Sequence, residues 1–163
     1  LYKNGTASTM LDGINIENTE VLSFTKFLRK ANYYWFCMMY KLSDPGVEAE
    51  YLESEKVNGV VYEKVKIAYD ADQTSKAQND TFILYFNPKS HLVDFFYFSL
   101  PLFGVNDPVL RMELHYEVID GIHIATERIG VFPDEKGNYT EAGRYSTGNV
   151  TFGNNFSKED LTL

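Results

Sequence analysis

Three titratable residues on alternate positions, Glu113, His115 and Glu117, form the densest such group in the chain. Residues two apart on a β-strand share a face, so two carboxylates would flank one imidazole. Such a set could ligate zinc or exchange protons with a substrate. The plainer reading is a solvated strand face, with Glu113 opposite Arg128 and His115 opposite Thr126 across an Asp120-Gly121 turn. Strand parity puts His123 on the other face, where it supplies no second imidazole, and His91 sits beside a turn. No catalytic residue and no metal ligand is expected.

Other chemistry finds little support. Cys37 is the one cysteine, which excludes an intrachain disulfide framework and a cysteine-rich zinc site. It lies in the apolar run ANYYWFCMMYKL, where a thiol serves as soft core filler. Asp70 and Asp72 match the start of a calcium loop, yet no G-x5-E follows. G-x-S-x-G, G-x-G-x-x-G and Walker A sequences are missing, so no cofactor is expected. A net charge of -8 argues against nucleic-acid binding and against attraction to anionic lipid surfaces. No stretch reaches the roughly 18 apolar residues of a membrane span.

The elements that would position a site are mostly strands. Residues 1–16 read as an edge strand or lead-in, with Thr6 to Leu11 pairing with the sheet. Val21, Phe24, Phe27 and Leu28 recur at helical spacing after an Asn18 or Thr19 cap. A second helix follows, up to the Ser43-Asp44-Pro45-Gly46 stop, and Val47 to Tyr51 add a helical turn. Leu52–Val57 and Val60–Tyr69 form a hairpin turned by Asn58-Gly59, with Glu53 opposite Lys64 and Glu55 opposite Tyr62. Val61, Val65 and Ile67 face the core, leaving the other face wet. Thr81–Phe86 and Leu92–Leu100 make an aromatic hairpin that is apolar on both faces and so belongs at the sheet centre. Pro101–Pro108 is a loop that plugs the sheet end or rims a cavity. Arg111–Val118 pairs with Ile122–Ile129, and a last strand lies near Asn149 to Phe152. Ser157–Leu161 starts like a capping box.

Aromatic residues make up 15% of the chain, enough to furnish either a core or an apolar site. The expected lining of an apolar site is Phe27, Tyr34, Trp35, Phe82, Phe96, Phe98 and Phe103.

Four segments, YKLSDPGVEAEYL, VNGVVYEKVKIAYD, DTFILYFNPKSHLVDFFYFS and RMELHYEVIDGIHIATERIG, resemble an uncharacterised family of cell-envelope proteins and lipoproteins from Bacteroidetes-type bacteria. Its members have a longer N-terminal portion of strands. The resemblance therefore implies that residues 1–163 are a single domain lacking part of a longer protein. It also implies a periplasmic or outer-membrane-associated location. By fold analogy the family is similar to periplasmic lipoprotein carriers, whose curved sheet holds acyl chains under helices.

The expected fold is therefore α+β and mainly β: a curved antiparallel half-barrel of six to eight strands, with helices on the concave face. The leading functional expectation is a non-enzymatic envelope protein binding an apolar or lipid-like ligand between sheet and helices. Its rival is a structural or protein-interaction module whose aromatics fill the core and which meets an envelope partner through an exposed face or edge.

Overall fold

The computed structural model describes residues 2–3, 6–70, 72 and 79–155. The fold is α+β, with one long helix and a seven-stranded antiparallel sheet. Two compact units divide it, Leu1–Lys41 with Val150–Leu163, and Leu42–Asn149. The calcium-like reading falls largely, and the Ser157–Leu161 reading wholly, outside the described residues.

In the first unit, β1 (Tyr2–Lys3) pairs with β2 (Thr6–Ala7), and β3 (Thr9–Leu11) with β4 (Ile14–Ile16). These are two-stranded ribbons, so the expected pairing of Thr6 to Leu11 with the main sheet does not occur. A local turn wins because Asp12 and Gly13 both adopt positive φ, 50° and 80°, and fold the chain straight back. Helix α1 (Thr19–Lys41) is capped by Asn18, whose Oδ1 accepts from the backbone N–H of Glu20 at 2.9 Å and of Val21 at 3.1 Å. One helix replaces the two expected, since no glycine or proline interrupts residues 19–41 and Ala31 is a strong helix former. Trp35 and Met38, three apart and so on one face, are its buried residues. Val21 and Phe24, placed by periodicity on the apolar stripe, remain 40% and 53% exposed. Among the described residues, no helix is long and apolar enough to cross a membrane.

The second unit is a meander: β5 (Val47–Val57), β6 (Val60–Tyr69), β7 (Phe82–Phe86), β8 (Val93–Leu100), β9 (Val105–Ile119), β10 (Ile122–Pro133) and β11 (Tyr139–Ser146). Each strand pairs with its sequence neighbours, so the spatial order is the chain order. The aromatic hairpin β7–β8 is central, as expected from its two apolar faces. Val47 to Tyr51 is strand and not a helical turn: Gly46 at φ 81° redirects the chain, and Val-Glu-Ala-Glu-Tyr alternates. Of the supposed loop Pro101–Pro108, only Pro101–Phe103 is a short 3-10 turn, and β9 already begins at Val105. Pro108 is tolerated there because the β10 pairing starts only at Arg111. Among the described residues the last strand is Tyr139–Ser146; residues 149–152 form none.

Both short hairpin turns have the backbone that their sequences require. Asn58 and Gly59 lie at φ 48° and 87°, and Asp120 and Gly121 at 51° and 80°, the paired positive values of a type I′ turn. A Cβ on Gly59 would meet nothing within 4 Å, so only conformation opposes a larger residue. Gly59→Ala is expected to lower stability by about 1 kcal/mol. In urea titrations the midpoint falls while the slope stays unchanged.

Cross-strand register builds two apolar rows on one sheet face. Ile67, Phe82, Phe98 and Leu110 are successive neighbours across β6 to β9, and Val65, Leu84, Phe96 and Met112 form the next row. That second row ends at Gly130 on β10. The gap left by the missing side chain is filled by the Phe132 ring, 3.5 Å from where a Cβ would stand. Leu84, Phe96 and Phe98 are fully buried.

Candidate functional site

Three surfaces of the sheet unit carry its chemistry. The first is the apolar face just described. Phe82 meets Phe96 edge-on at 5.8 Å between ring centroids and stacks with Phe98 at 6.3 Å. Tyr69 adds an edge contact to Phe82, and Phe132 one to Phe98. These spacings are those of favourable aromatic pairs.

The opposite face holds a second aromatic cluster. Tyr85 stacks on Phe95 at 4.4 Å, Tyr62 meets both rings edge-on, and Tyr97 links the group to Tyr139. The expected wet face of β6 is therefore not wet at Tyr62, which is 8% exposed, whereas Val61 is 47% exposed. Each inner phenol donates to an acid. Tyr62 Oη donates to Asp94 Oδ2 at 2.9 Å, and Asn87 Nδ2 donates to the same oxygen. Tyr85 Oη donates to Glu55 Oε2 at 3.1 Å, an oxygen also held by Lys64 Nζ at 2.9 Å. Burial, and then the Asp94 carboxylate, push the Tyr62 phenol up to about 12. Burial followed by Glu55 raises Tyr85 as well. Glu55 itself is held below the usual carboxylate range by Lys64. At the cluster's other end the Arg111 guanidinium lies 5.3 Å from the Tyr139 ring centre and 5.7 Å from that of Phe95.

The third surface is an open depression of about 430 Å³ lined by His115, Tyr116, Glu117, Thr126, Glu127, Ser146 and Thr147. A β-bulge beside Thr126 shifts the β9–β10 register. His115 consequently pairs with Glu127 and not Thr126, and Glu113 pairs with Ile129 and not Arg128. The extra residue is on β10, so Glu113, His115 and Glu117 still alternate on one face of β9, but only His115 and Glu117 line the depression. Glu113 is drawn into an ion pair with Arg111, while Glu127 pairs with Arg144 at 2.7 Å. Among the described residues, no three acidic, histidine or cysteine side chains gather as a metal site would need. His123 lies opposite Val118, one position along from the Glu117–Ile124 pair, and so faces away from His115. The hairpin register at β5–β6 also differs: a bulge between Leu52 and Glu55 sets Lys64 opposite Leu52 and not Glu53, while Glu55 stays opposite Tyr62.

Of the expected lining residues, Phe82, Phe96 and Phe98 share one face of the sheet. Phe27, Tyr34 and Trp35 belong to α1 in the other unit. Phe103 lies in the 3-10 turn and is half exposed, and Leu102 beside it is 75% exposed; neither plugs the sheet. The Tyr62–Tyr85–Phe95 cluster was not among the expected site residues. Its signal is the pairing of Ile83 and Tyr85 with Tyr97 and Phe95, a second set of large side chains on one hairpin.

No curated protein matches the chain. A solved structure similar to it is the crystal structure of a DUF1329 family protein from Desulfovibrio piger ATCC 29098, at 14% identity and a TM-score of 0.43. The match covers 65% of this chain and 43% of that one, so the chain spans less than half of that protein's length. A family model of unknown function, DUF6503, matches residues 12–106, which carry α1 and the first four strands of the sheet. That match takes in more than half of the sequence, and the chain belongs to the DUF6503 family.

Proposed function

We propose that this chain is a non-enzymatic structural or protein-interaction module of the cell envelope, with its aromatic residues spent on the core. The observation that carries this reading is the coverage of the apolar face. Phe96, Phe98 and Leu84 are fully buried and Phe82 is 4% exposed, with protein atoms alone excluding water. Rings in mutual contact at 5.7–6.3 Å are a packed interior and not the wall of a guest's pocket. The envelope location rests on the resemblance of the sequence. The exposed Leu102 and Phe103 favour a second reading, an apolar or lipid-like ligand held at this end of the sheet.

Native mass spectrometry of the gently purified chain separates the two. The expected spectrum contains the mass of the polypeptide alone, and organic extraction of the unfolded protein releases no stoichiometric lipid. One apolar molecule per chain, retained through purification, would overturn the filled-core reading and establish the second.

A further inference from the structure

We propose that β5 is a docking edge that takes an extended, lysine-bearing segment of a partner protein as an eighth strand of the sheet. The inference rests on the interaction-module reading and names the partner's chemistry. Among the described residues, β5 has one hydrogen-bonded neighbour, β6. An outermost strand directs the N–H and C=O groups of alternate residues away from the sheet, where they template another strand. All residues of β5 except Val47, Leu52 and Val57 are exposed, so the edge is open along its length. The bulge between Leu52 and Glu55 breaks its regularity, which makes Val47–Leu52 the uninterrupted stretch for pairing.

Charge selects the occupant. β5 carries Glu48, Glu50, Glu53 and Glu55 against a single Lys56. Glu50 and Glu55 are answered from within the sheet by Lys66 and Lys64. Glu48 and Glu53 form no ion pair among the described residues. A second copy of β5 would set glutamates against glutamates, which opposes self-pairing; a lysine-bearing strand meets complementary charge at the same positions. Tyr51 supplies an apolar contact. Its ring is 64% exposed and is held in place by donation from its hydroxyl to Glu63 Oε2 at 2.5 Å, a surface on which a lysine stem and ammonium can lie. The other outermost strand, β11, lacks this bias, because Arg144 there answers both Glu141 and Glu127. Main-chain bonding with alternate side chains read by the edge is the general form of strand addition.

The test uses the chain as it stands and fluorescently labelled peptides: one alternating lysine with valine, the same peptide N-methylated along its backbone, and one alternating glutamate with valine. Anisotropy should show binding of the lysine peptide, binding weaker by about tenfold or more for the N-methylated form, and none for the glutamate peptide. Hydrogen exchange of the unmodified chain should slow at Val47–Leu52 when the lysine peptide is present. The E48K/E53K variant should reverse the preference between the lysine and glutamate peptides. Equal binding of the N-methylated peptide, protection elsewhere than β5, or no binding of the lysine peptide would each overturn the inference. So would a dimer in analytical ultracentrifugation that is protected at β5. Any of these leaves the native-mass result untouched, so failure of the edge and failure of the filled-core reading are told apart.

Discussion

Phe96→Ala is expected to destabilise the protein by about 3–5 kcal/mol, the range for removing a large aromatic from a core. Phe96 is fully buried. It sits between Leu84 on β7 and Met112 on β9 in the cross-strand register and touches the rings of Phe82 and Phe98. Truncation removes the transfer energy of the ring and leaves a void at the middle of the central strand, where neighbours on both sides are themselves held by the sheet. A domain has about 5–15 kcal/mol of stability in total, so this single change takes a large part of it. Val61→Ala, at a position 47% exposed, is the control and should stay within about 0.5 kcal/mol. Urea unfolding followed by circular dichroism measures both. A loss below about 1 kcal/mol for Phe96→Ala would mean that the ring borders space and not neighbours, and would favour the ligand reading.

The local signals of the sequence carried most of the sheet. Asn58-Gly59 and Asp120-Gly121 place two turns because only a few residues accept positive φ at both central positions. The two-sided apolar pattern of Phe82–Phe86 with Val93–Leu100 placed that hairpin centrally, and its predicted face-sharing agrees with the register from Phe82 to Tyr85 but not at Phe86, which a bulge sets opposite Val93. Errors concentrate where one residue is out of step. Bulges leave no period of their own in a sequence, and each moves every later pairing by one. The bulge at Thr126 thus turned a predicted His115–Thr126 pair into His115–Glu127 and set Glu113 opposite Ile129 in place of Arg128. Helix continuity failed for a different reason: the change from an amphipathic to an all-apolar composition after Lys30 looks like a boundary, yet nothing there stops the backbone. Tyr62 was misplaced because alternation alone cannot see Asp94, thirty-two residues away, which receives the phenol and makes its burial tolerable.

The protein is expected to lose stability steeply on the alkaline side, beginning near pH 10. Six phenols of the sheet unit are raised above the ordinary value of 10.0, and four of them, Tyr62, Tyr69, Tyr85 and Tyr116, are raised by burial together with a nearby carboxylate. Burial is the largest cause in each of the four, followed by Asp94 for Tyr62 and Tyr116, Glu55 for Tyr85, and Asp80 for Tyr69. A phenol raised in this way keeps its proton in the folded chain at pH values where the unfolded chain has released it. The unfolded state then binds fewer protons, so stability falls as pH rises. Below pH 10 both states are protonated and the contribution is fully present. For Tyr62 the loss runs from about pH 10 to about pH 12. Each raised phenol contributes a slope of at most about 1.4 kcal/mol per pH unit, and four titrating together suffice to exhaust the stability of a small domain within that interval. Tyrosinate absorbance should therefore rise in one cooperative step coincident with loss of the sheet signal, instead of as a broad titration. Tyr62→Phe removes one of the four and should flatten the stability–pH slope above pH 10 while also relieving Asp94 of a donor. Asp94→Asn takes away the carboxylate that helps hold the Tyr62 proton and should shift the onset of that residue's ionisation downward. A stability that stays level from neutral pH to about pH 12 would contradict the account, because it would require the inner phenols to ionise in place, inside the aromatic cluster and beside carboxylates that oppose it.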